Sequence, residues 1–594
     1  MFFMENKKLA RILQEIADYL KMEGADFKPY AYQRAALVLD SLEEDVREIY
    51  RQGGKKTLEE IPGVGKSIAE KIEEFLKTGK IQYHESFKKR LPLNIEEIIA
   101  VEGVGPRKAK ALYQKLGIRG LKDLEEAAKT HKIAPLFGFG EKTENNILES
   151  IAFLKRSEGR FLLGEIFPKV EKVYQKLSKF KEVEKISLAG SVRRMKETIG
   201  DVDFLVISRK PEKVMDFFVS LPGIIKIWGK GKTKASVRVE DGFDMDIRVV
   251  SAKSYGAALQ YLTGSKEHNI AVRTIAIGKG LKLSEYGLFS AKDARLPDGQ
   301  GPASGGWGSK MIASKTEEEI YRILGMQTPP PEIRENEGEI EAALKGELPG
   351  LLNVKDIKGD LHCHSDWDGG ANSIEEMAKA AKDLGYEYIG ISDHTKFLRI
   401  ERGLNEKQLL EQRKEIDKIN RKLKIENCKF KLLHGCEANI MPDGSIDISD
   451  EALARLDYVI AGVHSSLKME KEKMTKRIVR AMENPNVDII SHPTGRLIKK
   501  RDAYQMDFDE ILRVASKTGT ILEINSSPTR LDLNDQNIRR AKEAGVKMIV
   551  NTDSHHKDQL QYIGFGVAQA RRGWAEKEDV VNTQSAEKLL RCFK

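Results

Sequence analysis

Two groups of residues in this sequence carry side chains and spacings suited to phosphate chemistry. The first is Gly200-Asp201-Val202-Asp203, opening a predicted strand. Residues i and i+2 of a strand project from one face, so Asp201 and Asp203 stand together; unpaired they would repel, and a divalent cation removes that cost. Asp246, in the strand-like run Met245-Asp246-Ile247-Arg248-Val249-Val250, supplies a third carboxylate, completing a hard-oxygen site suited to Mg²⁺. Two cations about 4 Å apart across such a triad support in-line phosphoryl transfer, one activating a hydroxyl and the other neutralising a pyrophosphate. An isolated Asp-x-Asp is more often a surface pair at a strand end. Gly190-Ser191-Val192-Arg193-Arg194 just upstream shifts the balance, because a small turn followed by guanidinium forks suits a triphosphate.

The second group is rich in imidazole. Eight of the eleven histidines lie after residue 360, and they recur at predicted strand ends: His362-Cys363-His364, Asp393-His394, Val463-His464, Ser491-His492 and Ser554-His555. Ligands at the carboxyl ends of barrel strands converge on one mouth, and a His-x-His pair aims two rings to one side. Adding Asp368, Glu437 and Asp553 to His362, His364, His394, His464, His492 and His555 gives nine N and O donors without a thiolate, enough for two or three ions. Imidazole with carboxylate favours Mn²⁺, Zn²⁺ or Fe²⁺ over Mg²⁺, and a bound water of near-neutral pKa would be the nucleophile. His434, His556, Cys363, His84, His131 and His268 read as bystanders. Arg496, in His492-Pro493-Thr494-Gly495-Arg496, is the candidate for gripping a substrate phosphate, with a salt bridge as the competing reading.

A third pattern, apolar-x-Gly-apolar-Gly, recurs at Ile61-Pro62-Gly63-Val64-Gly65, Val101-Glu102-Gly103-Val104-Gly105 and Leu136-Phe137-Gly138-Phe139-Gly140. Two glycines around one apolar residue permit a tight hairpin between helices, and the next helix then points free N–H groups outward, where a phosphate can be held without reading a base. Basic residues follow two of the copies, Lys66 after the first and Arg107 with Lys108 after the second. This predicts helix-hairpin-helix nucleic-acid binding, with the third copy serving structure alone. A dinucleotide-binding loop would need a third glycine where Ile68, Lys108 and Thr143 stand, and a preceding strand.

The elements that must position these groups follow from periodicity. Residues 1 to about 155 carry apolar side chains at three- and four-residue spacing and read as helical. Strand-like runs begin at Ile186-Ser187-Leu188-Ala189, and the acidic, proline-marked stretch from Thr328 to Gly350 reads as a linker with one short helix. Beyond it, Tyr388–Ile391, Tyr458–Ala461, Asp488–Ile490, Ile521–Ile524 and Met548–Val550 alternate with helical patterns, the rhythm of an α/β barrel. At 594 residues the chain exceeds one hydrophobic core, and about 150 residues per domain suggests roughly four domains. With 40% hydrophobic and 32% charged residues it should fold rather than remain disordered. No run approaches the ~18 apolar residues of a membrane span, and Met1-Phe2-Phe3-Met4 passes directly to Glu5-Asn6-Lys7-Lys8 without a secretory core, so a cytoplasmic protein with no membrane partner is expected. Cys363, Cys428, Cys436 and Cys592 are too few and scattered for a disulfide framework. The net charge of +9 is a mild bias toward polyanions.

On the hairpins, the Gly-Ser-x-Arg-Arg and Asp-x-Asp motifs and Tyr261-Leu262-Thr263-Gly264-Ser265, residues 1 to about 325 resemble a family X DNA polymerase of the polymerase beta type. The resemblance implies that Gly190, Ser191, Arg194 and Gly200 hold the incoming triphosphate and that Asp201, Asp203 and Asp246 hold the metals, Mg²⁺ or Mn²⁺, with Asp246 assisting deprotonation of the primer hydroxyl. It places Tyr261 beside the nucleotide sugar and Asn269 and Arg273 against the nascent pair and template. Lys71 stands where the family has its Schiff-base lysine for removing a 5′-deoxyribose phosphate, with a solvated lysine as the competing reading. Lys28 matches a 5′-phosphate contact; Gly63, Gly65, Lys66, Gly103, Gly105, Arg107 and Lys108 are the other DNA contacts. Asp244 and Leu262 depart from the family pattern, the first adding an acid to the metal face and the second replacing an aromatic.

Residues 356–594 resemble a polymerase and histidinol phosphatase (PHP) domain, a distorted (β/α)7 barrel whose members hydrolyse phosphoesters; all nine ligand positions implied by that resemblance are filled. The expected architecture is therefore multidomain α+β and α/β: an N-terminal helix-hairpin-helix, lyase-like domain (1–90), fingers with further hairpins (91–155), a nucleotidyltransferase palm (156–255), a thumb (256–325), a linker (326–355) and the PHP barrel (356–594). The expected function is a monomeric, DNA-directed repair polymerase filling short gaps, acting on gapped or primed DNA and dNTPs, with a metal-dependent 3′-5′ exonuclease or abasic-site endonuclease in the barrel. A small-molecule phosphatase carrying a DNA-binding arm and a non-templated nucleotidyltransferase are the alternatives.

Overall fold

The computed structural model describes residues 4–25, 27–42, 45–61, 63–101, 103–156, 159–290, 311–425 and 429–594, so Pro62, Glu102 and Cys428 lie outside the described residues. The helical arm forms because its apolar residues recur on one face of each helix. Helix Met4–Glu23 buries Leu9, Leu13, Ile16 and Leu20, and Tyr19 stacks on Phe87 with ring centroids 5.3 Å apart. One continuous core runs from Leu9 to Ile151, so the hairpins near Gly63, Gly103 and Gly138 belong to a single packed body.

Beyond the arm, β1 (Phe161–Leu162) pairs antiparallel with β3 (Thr198–Ile199). The main sheet comprises β2 (Lys185–Leu188), β4 (Asp201–Ile207), β5 (Ile224–Lys230), β6 (Lys234–Val239) and β7 (Asp244–Val250), in the order β2-β4-β7-β6-β5. Its central pair, β4 and β7, is parallel, with Asp201 opposite Asp244 and Asp203 opposite Asp246. Alternation fixes the faces: in β7, Met245, Ile247 and Val249 are buried beneath helices Leu163–Ser178 and Pro211–Val219, leaving the acids on the open face. Helices Tyr255–Thr263 and Lys266–Gly278 lead to β8 (Leu281–Ser284), β9 (Gly287–Ser290) and β10 (Met311–Ala313), an antiparallel sheet followed by helix Glu317–Ile323.

The segment read as a linker is a packed strap. Its short helix is Glu339–Lys345, preceded by a 3-10 turn at Pro331–Ile333. Arg334 is 1% exposed; it pairs with Glu317 and lies over the Tyr321 ring at 5.2 Å. His268 bridges Glu339 (2.7 Å) and the Tyr321 hydroxyl (2.8 Å), all three fully buried. Two of the acids that made this stretch read as a linker have cationic partners elsewhere in the chain, Arg571 for Glu332 and Arg572 for Glu335.

Eight strands build the barrel: β11 (Gly359–Cys363), β12 (Tyr388–Ile391), β13 (Lys431–His434), β14 (Glu437–Asn439), β15 (Ile460–Gly462), β16 (Ile489–Ile490), β17 (Ile521–Asn525) and β18 (Met548–Asn551). All pairings are parallel; β13 pairs β12 and β14 pairs β15, so β13 and β14 are two halves of one strand position broken at Gly435-Cys436, giving a seven-position barrel. Closure runs between β18 and β11, where the N–H of Leu361 donates to Asn551 Oδ1 (3.1 Å) and that of His364 to Ser554 O (2.8 Å).

Replacing Glu317 by Ala strands two guanidiniums, Arg334 and Arg193, and should cost about 3–5 kcal/mol, lowering the first thermal transition in calorimetry. Combining it with Arg334→Met should recover part of that loss.

Candidate functional site

Each of the first two hairpins carries its first glycine in the left-handed region, Gly63 at φ +78° and Gly103 at +84°, and its second as an extended helix N-cap, Gly65 at −79° and Gly105 at −80°. Neither cap has a side-chain hydrogen bond, so the N–H groups of the following first turns face outward. The third copy differs: Gly140 is itself left-handed at φ +74°, and its N–H is spent on Ala134 O. Lys28, Lys66 and Arg107 are exposed, whereas Lys108 folds back onto Gly103 O (3.0 Å). Lys71 lies over the Tyr32 and Tyr83 rings at 5.8 and 5.2 Å, with Nζ bonded to Ser67 Oγ at 3.1 Å.

On the open face of the main sheet, Gly190 is pressed onto Asp203: a Cβ there would lie 2.5 Å from Oδ2. Burial, then the charges of Asp201 and Asp246, push Asp203 up to about 7. Asp244 is withdrawn from this set, because Arg238 grips it with two bonds (2.7 and 2.8 Å) and Trp228 Nε1 donates a third at 2.8 Å. Asp246 keeps a free side and sits 3.2 Å from Lys234. Arg193 is committed to Glu317 and Thr263. Arg194 donates to Glu335 of the strap (3.1 Å) and to Thr263 O, with Gly264 packed on its guanidinium. Asn269 bonds Tyr261 O at 2.7 Å and Arg273 lies 5.1 Å from the Tyr261 ring, so those three form one patch on the two helices after β7. Ser191 sits in the turn after Gly190, while Gly200 immediately precedes β4 and faces Arg160.

In the barrel, Glu437 lies at the centre of the histidine cluster. It is fully buried: Oε2 faces His394 Nδ1 (3.0 Å), His362 Nε2 (3.2 Å) and His364 Nε2 (3.7 Å), and Oε1 faces His492 Nε2 (3.0 Å) and His464 Nε2 (3.2 Å). Asp553 Oδ1 lies 3.5 Å from His362 and 3.4 Å from His364, and the His364 and His555 rings stack at 4.1 Å. Asp368 holds His364 Nδ1 at 2.8 Å. Within four sets drawn from these residues the donor atoms all lie within 4.8 Å of one another: His364/His394/His555, His362/His364/Glu437/Asp553, His394/Glu437/His464 and His364/Asp368/Asp393. The triad of Asp201, Asp203 and Asp246 forms no such compact set among the described residues.

The residues fit a group of divalent cations on a direct observation. His362 Nε2, His364 Nε2, His394 Nδ1, His464 Nε2 and Glu437 Oε2 are buried with no hydrogen-bond partner, and they converge. Buried polar atoms are ordinarily paired, and cations would pair all five at once. Their orientation comes from a surrounding shell: Glu523 fixes His362 Nδ1 (2.7 Å), Asn439 fixes His464 Nδ1 (2.7 Å), and Asp553 O faces His555 Nδ1 (3.0 Å). Burial lowers His362, but Glu437, Glu523 and Asp553 outweigh it and hold the ring well above its ordinary value; His464 and His555, where burial prevails, fall to about 4. His492 and Asp553 sit in left-handed backbone (φ +29° and +57°), strain of about 1–3 kcal/mol each that places ligands at strand ends.

Arg496 does not reach this cluster. It pairs with Glu197 at 2.7 Å and donates to Leu531 O, so the competing salt-bridge reading is the one found. It lines a cavity of about 400 Å³ between sheet and barrel, together with Arg160, Lys499 and Arg501. Sequence reasoning missed Glu523, Asp393, Glu335 and Arg530, the last 3.5 Å from Asp553. Glu523 alone left a signal, a carboxylate inside the apolar run Ile521–Ile524. The bystander histidines have other partners: Gln412 for His434, Glu15 for His84 and Glu144 for His131.

Four family models match the chain: a helix-hairpin-helix domain over residues 4–81, a SAM-like helix-hairpin-helix tandem over 95–152, a DNA polymerase beta thumb over 258–335 and a PHP domain over 360–527. The chain is 36% identical over 585 residues, 98% of either length, to a Bacillus subtilis (strain 168) protein named DNA polymerase/3′-5′ exonuclease PolX. A probable phosphatase of Thermoanaerobacter sp. (strain X514) is 33% identical over 211 residues, 33% of this chain and 78% of its own. One of Acetivibrio thermocellus is 30% identical over 230 residues, 37% and 86% respectively.

Cation binding at the open-face triad requires Asp203 as carboxylate, so protonation below about pH 7 competes with it. Calorimetric Mg²⁺ titration should show affinity falling up to about tenfold per pH unit below 7, with proton release on binding; Asp246→Asn should shrink that release.

Proposed function

The chain belongs to the family of the DNA polymerase/3′-5′ exonuclease PolX, and on that premise we propose that it fills short gaps in DNA repair at the sheet and trims 3′ ends in the barrel. The observation that carries this two-site reading is the contrast in donors: carboxylates alone on β4 and β7, imidazoles around one glutamate in the barrel. Both sites are built for divalent cations. Mg²⁺ or Mn²⁺ suits the first; two or three ions of Mn²⁺, Zn²⁺ or Fe²⁺ suit the second.

At the sheet, Asp201, Asp203 and Asp246 would hold the cations, which lower the pKa of the primer hydroxyl and neutralise pyrophosphate. Gly190 lets the turn approach Asp203 closely, Gly190, Ser191, Arg194 and Gly200 form the triphosphate seat, and Arg194 exchanges Glu335 for the phosphate oxygens. Asp246, with one side open, takes the primer proton. Tyr261, Asn269 and Arg273 receive the nascent pair. The hairpin N–H groups at Gly63, Gly65, Gly103 and Gly105, with Lys28, Lys66, Arg107 and Lys108, hold the DNA backbone irrespective of sequence. In the barrel, His362, His364, Asp368, His394, Glu437, His464, His492, Asp553 and His555 would hold ions that activate a water and polarise the phosphodiester. Glu437 would be a shared ligand, since both its oxygens face imidazoles, and Glu523 fixes the tautomer of His362. The working unit is a monomer, and no helix among the described residues is long and apolar enough to cross a membrane.

Asp201→Asn should abolish nucleotide addition on a gapped primer, by about a thousandfold or more, while leaving 3′ trimming intact, and His362→Ala should do the reverse. Loss of both activities from either change would refute separate sites.

A second activity is favoured by one contact set. Lys71 is held in one place by two tyrosine rings and by Ser67, beside the first hairpin where a DNA 5′ end would lie, the position a Schiff-base nucleophile needs. Borohydride should trap the protein on DNA bearing a 5′-deoxyribose phosphate, and Lys71→Ala should remove that adduct; trapping that persists assigns it to another lysine.

A further inference from the structure

The helical arm meets the barrel at the rim of the imidazole cluster. Loop 366–372 carries Asp368 and is pinned by Asp366 N–H donating to Asn372 O (2.9 Å) and Ala371 N–H donating to His555 O (2.8 Å). Ala371 is buried within the hydrophobic core of the arm, so the arm docks on the loop that bears a ligand. At that contact Arg34, from helix Lys28–Ser41, reaches Gly370 O with Nη2 at 3.5 Å, and its Nε is buried without a hydrogen-bond partner. From the barrel side, Arg402 donates Nη2 to Asp368 O. Burial, and after it the charge of Arg402, lower Arg34; Asp366, which opposes them, is exposed.

A half-buried guanidinium with one long hydrogen bond, an orphaned Nε and a like charge beside it is under-satisfied. An anion with several acceptor oxygens would answer both forks, and the reaction next to them consumes such an anion. Gly63 of the first hairpin is packed on the same side chain, since a Cβ there would lie 3.0 Å from Arg34 Cγ. A DNA strand held by that hairpin would lie beside Arg34.

We infer that Arg34 and Arg402 form a clamp for a backbone phosphodiester of the DNA strand being trimmed, so that the arm contributes substrate-binding groups to the barrel site. This rests on the reading of the barrel as the exonuclease. The clamp acts on a phosphate beyond the scissile one, so it affects DNA and spares a small diester.

The test uses the full chain with Arg34→Ala, Arg34→Lys and Arg402→Ala, assayed on a single-stranded oligodeoxynucleotide and on bis(p-nitrophenyl) phosphate, with metal content measured. Either alanine variant should raise KM for the oligonucleotide about tenfold, leave kcat within about twofold, and leave the small diester and the metal content unchanged; Arg34→Lys should recover part of the loss. An unchanged KM, or an equal fall on both substrates with loss of metal, would overturn the clamp. His362→Ala serves as the separate control: if it leaves trimming intact, the exonuclease assignment fails instead.

Discussion

The barrel site depends on one buried carboxylate facing five imidazoles. Glu437 has no exposed surface, and each of its oxygens lies within about 4 Å of at least two rings contributed by different strands. Such a group is costly to bury unless strong partners surround it. Ser491 Oγ donates to Oε1 at 2.8 Å, but Oε2 and four of the ring nitrogens have no hydrogen-bond partner. The geometry is satisfied when positive charge sits among these atoms, and the rest of the barrel serves to keep them in place. The break of β13 and β14 at Gly435-Cys436 lets Glu437 enter from one half-strand while the other half pairs with β12. Gly435 faces the Tyr458 ring so closely that a Cβ would lie 2.4 Å away, so the break needs a glycine.

The open-face triad solves a related problem differently. Its acids stand on neighbouring parallel strands, with Asp203 opposite Asp246, and burial, with the repulsion of Asp201 and Asp246 added to it, appears as a raised pKa at Asp203. Arg238 removes the fourth acid, Asp244, from the competition. A loose carboxylate site suits a cation that arrives with its triphosphate, whereas the imidazole cluster suits ions that stay.

Much of this was legible in sequence because the relevant information is local. Tyr388–Ile391 is a strand as read, since a β-branched run between turns admits little else; ligands at strand ends converge because barrel strands are parallel. The hairpins were visible because positive φ demands glycine, and the third copy departs where Gly140 takes the left-handed conformation in place of a cap. What stayed hidden depends on partners far along the chain. The acidic stretch 328–350 reads as a linker because Arg571 and Arg572, which pair with Glu332 and Glu335, lie more than 200 positions away, and the partner of Arg496, Glu197, is 299 positions from it. Periodicity carries no record of such pairings.

Those long-range pairs do more than tether. Arg572, 3% exposed at its side chain, donates to Arg194 O, to Glu335 and to Asp535, while Glu335 also takes Arg194 and Lys196. Burial favours the neutral carboxylic acid, but Arg194, Arg572 and Lys196 prevail and hold Glu335 below its ordinary value. The guanidinium proposed to bind a triphosphate and a buried arginine of the barrel thus share one carboxylate on the strap between them. Were phosphate oxygens to take Arg194, as the proposed function has it, Glu335 would keep Arg572 on the barrel side and Lys196. The half-buried Glu335 carboxylate is thus the one group in direct contact with both Arg194 and the barrel's Arg572 in this network. The strap is the physical reason that two sites with different chemistry are mechanically one molecule.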